Sequence, residues 1–199
     1  MTQSRASAIV FADLRDALRE LEATRGSPKD VRRAFSRFVD LTQRLTASMR
    51  TDFSRAGKGK WQASAFPGWN AVTEFFKWMR NQDQHELPIH ISVHERRFQE
   101  VPGQVGRLFS FEGTWILADQ LSDAPPQGIT FYPADPVTGK QLSSAPPVKV
   151  EYQFLVQPRS EPARTRLHGI GTTDVHQLSA ACFSVLSQYY DFFLAMIRD

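Results

Sequence analysis

Gln84-His85-Glu86-Leu87-Pro88-Ile89-His90-Ile91-Ser92-Val93-His94 is the stretch in which the chain changes period. Upstream of it, Trp69, Val72, Phe76 and Met79 recur at steps of three and four, which predicts a helix over about 70–85. Pro88 stops that helix, because a residue preceding proline is driven out of the helical region. Beyond it, Ile89, Ile91 and Val93 alternate with His90, Ser92 and His94, the period of a half-buried strand. A helical first part giving way to alternating strands is the pattern of an α+β fold.

Two more helices are expected before the switch. Phe11, Leu14, Leu18 and Leu21 form one narrow stripe over about 7–25, and Gly26 offers a left-handed cap after it. Ser27-Pro28-Lys29-Asp30 reads as a restart, with Ser27 as N-cap, Pro28 in the first helical position and Asp30 near the positive helix end. The helix so begun runs over about 28–55 on the stripe Val31, Phe35, Phe38, Leu45 and Met49, with Thr42 at the missing step. From Gly57 to Gly68 the chain loosens around Lys58, Gly59, Lys60 and Pro67.

After the switch, four or five antiparallel strands are expected between 89 and 170. Leu108–Phe111 and Thr114–Leu117 flank Glu112-Gly113, which reads as a hairpin turn, and Val148, Val150, Tyr152, Phe154 and Val156 alternate as another strand. Pro125-Pro126, Pro136, Gly139 and Pro146-Pro147 mark loops. A last helix over about 174–198, capped by Thr172 or Thr173, carries Val175, Leu178, Cys182, Val185, Tyr189, Phe192 and Met196 on a seven-residue repeat. Leu186, Phe193 and Ile197 widen its apolar face, which then needs several neighbours: a bundle core, a subunit interface, or both. The expected organisation is one domain over 1–199, a four-helix bundle from 1–88 and 173–199 interrupted by an antiparallel β insert over 89–172.

Composition narrows the setting. With 41% hydrophobic and 23% charged residues among 199, the chain is ordinary globular material and large enough to build a core. Cys182 is the only cysteine, which excludes an internal disulfide and a cysteine-built zinc site and suits a reducing compartment. Asp13, Asp16, Glu20 and Glu22 interrupt the first residues as no signal peptide would. No run of about 18 apolar residues stands out, so a cytoplasmic protein without a membrane span is expected. The net charge of +3 is uneven: residues 1–60 hold 13 Lys/Arg against 7 Asp/Glu, a surplus compatible with a phosphate-bearing partner or with a solvated helix face.

The chemistry concentrates in Arg80-Asn81-Gln82-Asp83-Gln84-His85, at the end of the third expected helix. An imidazole both takes and gives a proton near neutral pH. A guanidinium beside it supplies planar donors for a phosphate and for the charge that builds up on it. Asn81 and His85 stand one turn apart and share a face. Base, acid and charge stabilisation suffice for attack of a ribose 2′-hydroxyl on the adjoining phosphate without a metal. The competing reading makes Arg80 and His85 ordinary helix-end cations favoured by the dipole.

This motif resembles that of the HEPN superfamily, helical domains that carry an Arg, four to six residues and a His near a helix end, often with Asn after the Arg. The resemblance covers the expected helices and not the β insert. It implies a ribonuclease acting as a homodimer whose two motifs meet at the subunit boundary, in toxin–antitoxin, phage-defence or RNA-processing settings. An antitoxin or a nucleotidyltransferase partner goes with those settings. It makes Arg80 and His85 catalytic and Asn81 their support, and it calls for no cofactor.

For RNA binding, Lys58, Lys60, Trp61, Phe66 and Trp69 mix charge and aromatic surface in the loop before the motif, able to stack exposed bases and hold phosphates, and Arg37 and Arg44 add charge from the second helix. Trp61 packed against the β insert is the equal alternative. His90 and His94 could instead serve a metal-dependent hydrolase, although no carboxylate joins them at a zinc-enzyme spacing and a polar strand face accounts for them. His168 is read in a loop with Arg164, Arg166 and Gly169. A non-catalytic binding or assembly module is the remaining alternative.

Overall fold

The heptad stripe that ends the sequence becomes a 24-residue helix, Val175–Arg198, and the rest of the molecule is arranged around its buried face. A computed structural model describes residues 5–62, 65–85, 90–100, 107–117, 148–158 and 161–198; the side chains of 81–85, 99–100, 107–111 and 115–116 stand outside that description. The described elements are α1 (Ala6–Ala23), a 3-10 turn (Thr24–Gly26), α2 (Val31–Arg55), α3 (Ala71–His85), β1 (Ile91–Glu100), β2 (Arg107–Ile116), β3 (Lys149–Val156), α4 (Glu161–His168) and α5 (Val175–Arg198). The architecture is α+β, five helices and a three-stranded antiparallel sheet.

The apolar stripes of α1, α2 and α3 supply the core, while on α5 the second line, Leu186, Phe193 and Ile197, is buried, Val185 and Phe192 of the seven-residue repeat are only partly so, and Met196 is exposed. Leu14, Ala17 and Leu21 of α1, Phe35, Phe38, Leu45 and Met49 of α2, Phe75, Phe76 and Met79 of α3, and Leu178, Cys182, Leu186, Tyr189 and Phe193 of α5 are all buried in one core. Phe76 sits edge-on to Phe35 and Phe38, while Phe11 of α1 stacks on Tyr190 of α5. α2 and α5 both pack against α1, α3 and each other. α5 is also the one helix among the described residues that is long and apolar enough to cross a membrane by length and composition, contrary to the sequence expectation that no segment is. One side of it is packed on α1, α2, α3 and β3.

Helix ends depart from expectation in instructive ways. Ser27 and Pro28 do not open α2; the helix begins at Val31, and Asp30 precedes it in a left-handed conformation with φ 68°. Ser27 instead accepts the backbone N–H of Lys29. Gly26 belongs to the 3-10 turn and has no positive φ. The left-handed glycine lies at the end of α2: Gly57, with φ 73°, lets Lys58 N–H reach back to the Phe53 carbonyl and its own N–H reach Ser54, closing a Schellman cap. α5 is capped not by Thr172 or Thr173 but by Asp174, whose Oδ1 accepts the N–H groups of His176 and Gln177 at 3.0 and 2.9 Å.

The sheet has the order β2-β1-β3. Ile91 pairs with Val156 and Val93 with Phe154, and all four side chains enter the helical core. Burial fades along β3, so that Val150 and Val148 are exposed. Glu112-Gly113 is not a hairpin turn. Both residues lie inside β2, opposite Arg96 and Glu95, and the only irregularity of that ladder is a register shift between Arg97 and Phe98. The described strands number three rather than four or five. The segment read as a loop around His168 is α4, which packs on α3. Pro88, Ile89 and the loops expected at Pro125-Pro126, Pro136, Gly139 and Pro146-Pro147 lie outside the described residues.

Candidate functional site

Helical spacing puts a second face on α2, beside the buried one. Gln43, Thr46, Ala47, Arg50 and Ser54 fall at i, i+3, i+4, i+7 and i+11, and Glu74, Lys77 and Arg80 recur at steps of three on α3. These two rows face each other across a cleft of about 760 Å³, and the chain from Gly59 to Gln62 with Trp69 closes one side of it. Gly57 and Gly59, both with positive φ, turn the chain sharply after α2 and so bring Lys60 and Trp61 back to the cleft.

The charge of the cleft is one-sided. Among the described residues, Arg44, Arg50, Lys60, Lys77 and Arg80 line it against the single carboxylate of Glu74. That carboxylate accepts the indole N–H of Trp69 and stands 3.6 Å from Lys77 Nζ, while Arg44 is held at 2.7 Å by Asp40. Arg50, Lys60 and Arg80 make no ion pair with another described residue. Such a cleft attracts polyanions, and its low-dielectric walls strengthen the attraction.

Of the residues singled out in the sequence, Arg44, Lys60, Trp61, Trp69 and Arg80 come together here. Arg37 does not: it pairs with Glu20 and lines a separate hollow with Asp30 and Arg33. Lys58 is exposed but does not line the cleft. α3 runs through Asn81 and His85, whose side chains lie outside the described residues. Trp61 is not an open stacking surface. It is buried among Phe53, Tyr189, Phe192 and Phe193, and its Nε1–H donates to Tyr189 Oη at 2.6 Å. The half-buried indole at the cleft is Trp69.

No family model, curated protein or solved structure matches this chain. The site therefore rests on its residues alone. His94 is engaged on both ring nitrogens, with Thr114 Oγ1 at 3.1 Å and Glu112 Oε1 at 3.2 Å, and the pair with Arg96 and His94 holds the Glu112 carboxyl below its usual range. His90 lies in another hollow with Arg164 and His168. Thr46, Arg50 and Lys77 are cleft residues that sequence reasoning did not nominate, whereas the sequence already offers Trp69, with Lys58, Lys60 and Trp61, as able to stack a base. The shared spacing of Arg50 with Thr46 and of Lys77 with Arg80 is the signal that carried them.

Proposed function

We propose that the protein is a metal-independent endoribonuclease of HEPN type, a cytoplasmic homodimer whose cationic cleft holds RNA. The observation that carries this reading is the position of Arg80: the first residue of the Arg80-Asn81-x-x-x-His85 motif opens onto a cleft with four further cations and, among the described residues, a single carboxylate. α1, α2, α3 and α5 supply the HEPN-like four-helix bundle in this reading, and the β sheet with α4 is an insertion that sets access or partner choice. Cleavage proceeds by attack of the ribose 2′-oxygen on the adjoining phosphorus. His85 takes or gives a proton at the 2′- or 5′-oxygen, the bond to the 5′-oxygen breaks, and a 2′,3′-cyclic phosphate remains. Arg80 meets the charge that accumulates on the non-bridging oxygens. A toxin, a phage-defence nuclease or an RNA-processing enzyme, with or without an antitoxin or nucleotidyltransferase partner, would all use this chemistry.

The test is cleavage of RNA in excess chelator. Wild type should release cyclic-phosphate ends, and Arg80→Ala or His85→Ala should lower the rate by about 100-fold or more while leaving the circular dichroism unchanged. Activity that chelator abolishes and zinc restores would transfer the chemistry to a metal site. A second reading has a specific support: Arg44, Arg50, Lys60, Lys77 and Arg80 line one cleft, and five cations suffice to bind a polyanion without any chemistry. Salt-dependent RNA binding with no cleavage would make the protein a non-catalytic binding module.

A further inference from the structure

Two polar atoms at the cleft are buried with nothing to bond. Thr46 Oγ1 and Arg80 Nε are closed off from solvent, and neither has a hydrogen-bond partner among the described residues. The threonine is unlike the others of its helix. Thr42 donates to the Val39 carbonyl at 2.7 Å and Thr51 to the Ala47 carbonyl at 3.2 Å, the local bond that helical threonines commonly make. Thr46 makes no such bond although it is only 6% exposed. Orphaned buried donors are costly, and folded proteins keep few of them. Two in one cleft mark a place where the missing partner comes from outside.

The chemistry of that partner follows from the donors. An Nε–H only donates, and a hydroxyl in a cleft lined by cations meets ligands that accept. With Arg50 and Lys77 on the same walls, the seat fits the oxygens of an anion. Trp69 lines the same cleft with its ring fixed: the indole N–H is held by Glu74, and the ring stands edge-on to Tyr189 at 5.2 Å and 69°. A fixed indole takes the face of an unpaired base. A duplex keeps its bases stacked on one another and offers no such face.

We infer that Thr46 and Arg80 seat one phosphate of a single-stranded nucleic acid and that Trp69 stacks a base next to it. This rests on reading the cleft as a nucleic-acid interface but not on cleavage. Because both donor atoms are covered in the free protein, the Arg80 and Thr46 side chains turn toward the phosphate as it arrives.

The probe is a fluorescein-labelled 2′-O-methyl oligonucleotide, which has no free 2′-hydroxyl and cannot be cut by transesterification, titrated with the full chain and followed by anisotropy. The single strand should bind about tenfold or more tightly than the same strand annealed to its complement. Thr46→Val should weaken binding about fivefold while leaving Tm unchanged or raised, because the hydroxyl is unsatisfied in the free protein. A merely structural threonine would lower Tm and leave affinity alone. Trp69→Leu should cost about tenfold, and Trp69→Phe, which keeps a ring, should recover most of it. Should Trp69→Leu fail to fold, Thr46→Val carries the test. Wild-type affinity in both variants, or equal binding of single and double strands, overturns the inference. Tight binding of the uncuttable strand by a protein that cuts no RNA would support the seat and sink the nuclease reading alone.

Discussion

His176 ties three parts of the molecule at one ring. Its Nε2 stands 3.0 Å from the Leu21 carbonyl and 3.4 Å from Thr24 Oγ1, joining α5 to the end of α1, and its ring packs on Phe154 of β3. Bonding to a carbonyl requires the proton on Nε2, so the neutral ring already meets its partner. Burial pushes its pKa below the ordinary value, and the charge of Arg25 adds to that. The Leu21 carbonyl and the carboxylates of Asp174 and Glu22 oppose the shift without overcoming it. The folded state therefore holds this proton less tightly than the unfolded chain. The contribution to stability is complete above the unfolded pKa of about 6.5 and is lost as pH falls through the lower folded value. Thermal melts should show Tm falling between about pH 7.5 and 5.5, and His176→Gln should flatten that fall. An equal slope in the variant would locate the acid sensitivity elsewhere. Nothing in the seven-residue repeat of α5 marks this residue, because its partners lie more than 150 positions away.

The ends of helices are where local sequence and tertiary structure part company. α1 has no side-chain cap from Arg5; its Ser7 N–H donates instead to Asp52 Oδ2 of α2 at 2.8 Å, a buried bond across 45 positions. A carboxylate near the C-terminal end of its own helix is disfavoured by the dipole, so the gain from Asp52 comes from α1. Asp52→Ala should cost about 1–3 kcal/mol in denaturant unfolding, with Asp52→Asn losing less because it keeps an acceptor. A loss within about 0.5 kcal/mol of zero would mean that water replaces the cap. The long helices were legible because their apolar stripes are long, and α3 and α5 fall within a residue of where the spacing puts them. α4 was overlooked although Glu161-Pro162 is a helix-start signal and Ala163 and Leu167, one turn apart, are both buried. Gly113 misled for the opposite reason. A glycine beside an acidic residue reads as a turn, whereas here it stands in a strand across from the buried Glu95.

At the scale of the molecule, the core shared by helices and sheet and the cleft between α2 and α3 were visible in unequal measure. The rows Gln43 to Ser54 and Glu74 to Arg80 follow from helical spacing. The burial of Trp61 does not, since it depends on Tyr189, 128 positions away. The proposed chemistry adds a constraint of its own. Arg80 and His85 are five positions apart on one helix, which turns their Cα–Cβ directions apart by about 140°. Two residues so placed do not easily grip one phosphate from a single chain. A two-fold axis that brings two α3 ends together would set Arg80 of one chain beside His85 of the partner subunit. On that arrangement, Arg80→Ala and His85→Ala proteins are each dead alone, but mixing them under conditions that exchange subunits restores activity. With random exchange half of the dimers are mixed, and each holds one intact site of two, so about a quarter of wild-type activity should return. If each chain holds a complete site, no subunit of a mixed dimer has both residues and the mixture stays inactive. Exchange demonstrated by a labelled subunit, with no recovery of cleavage, would rule out the shared site.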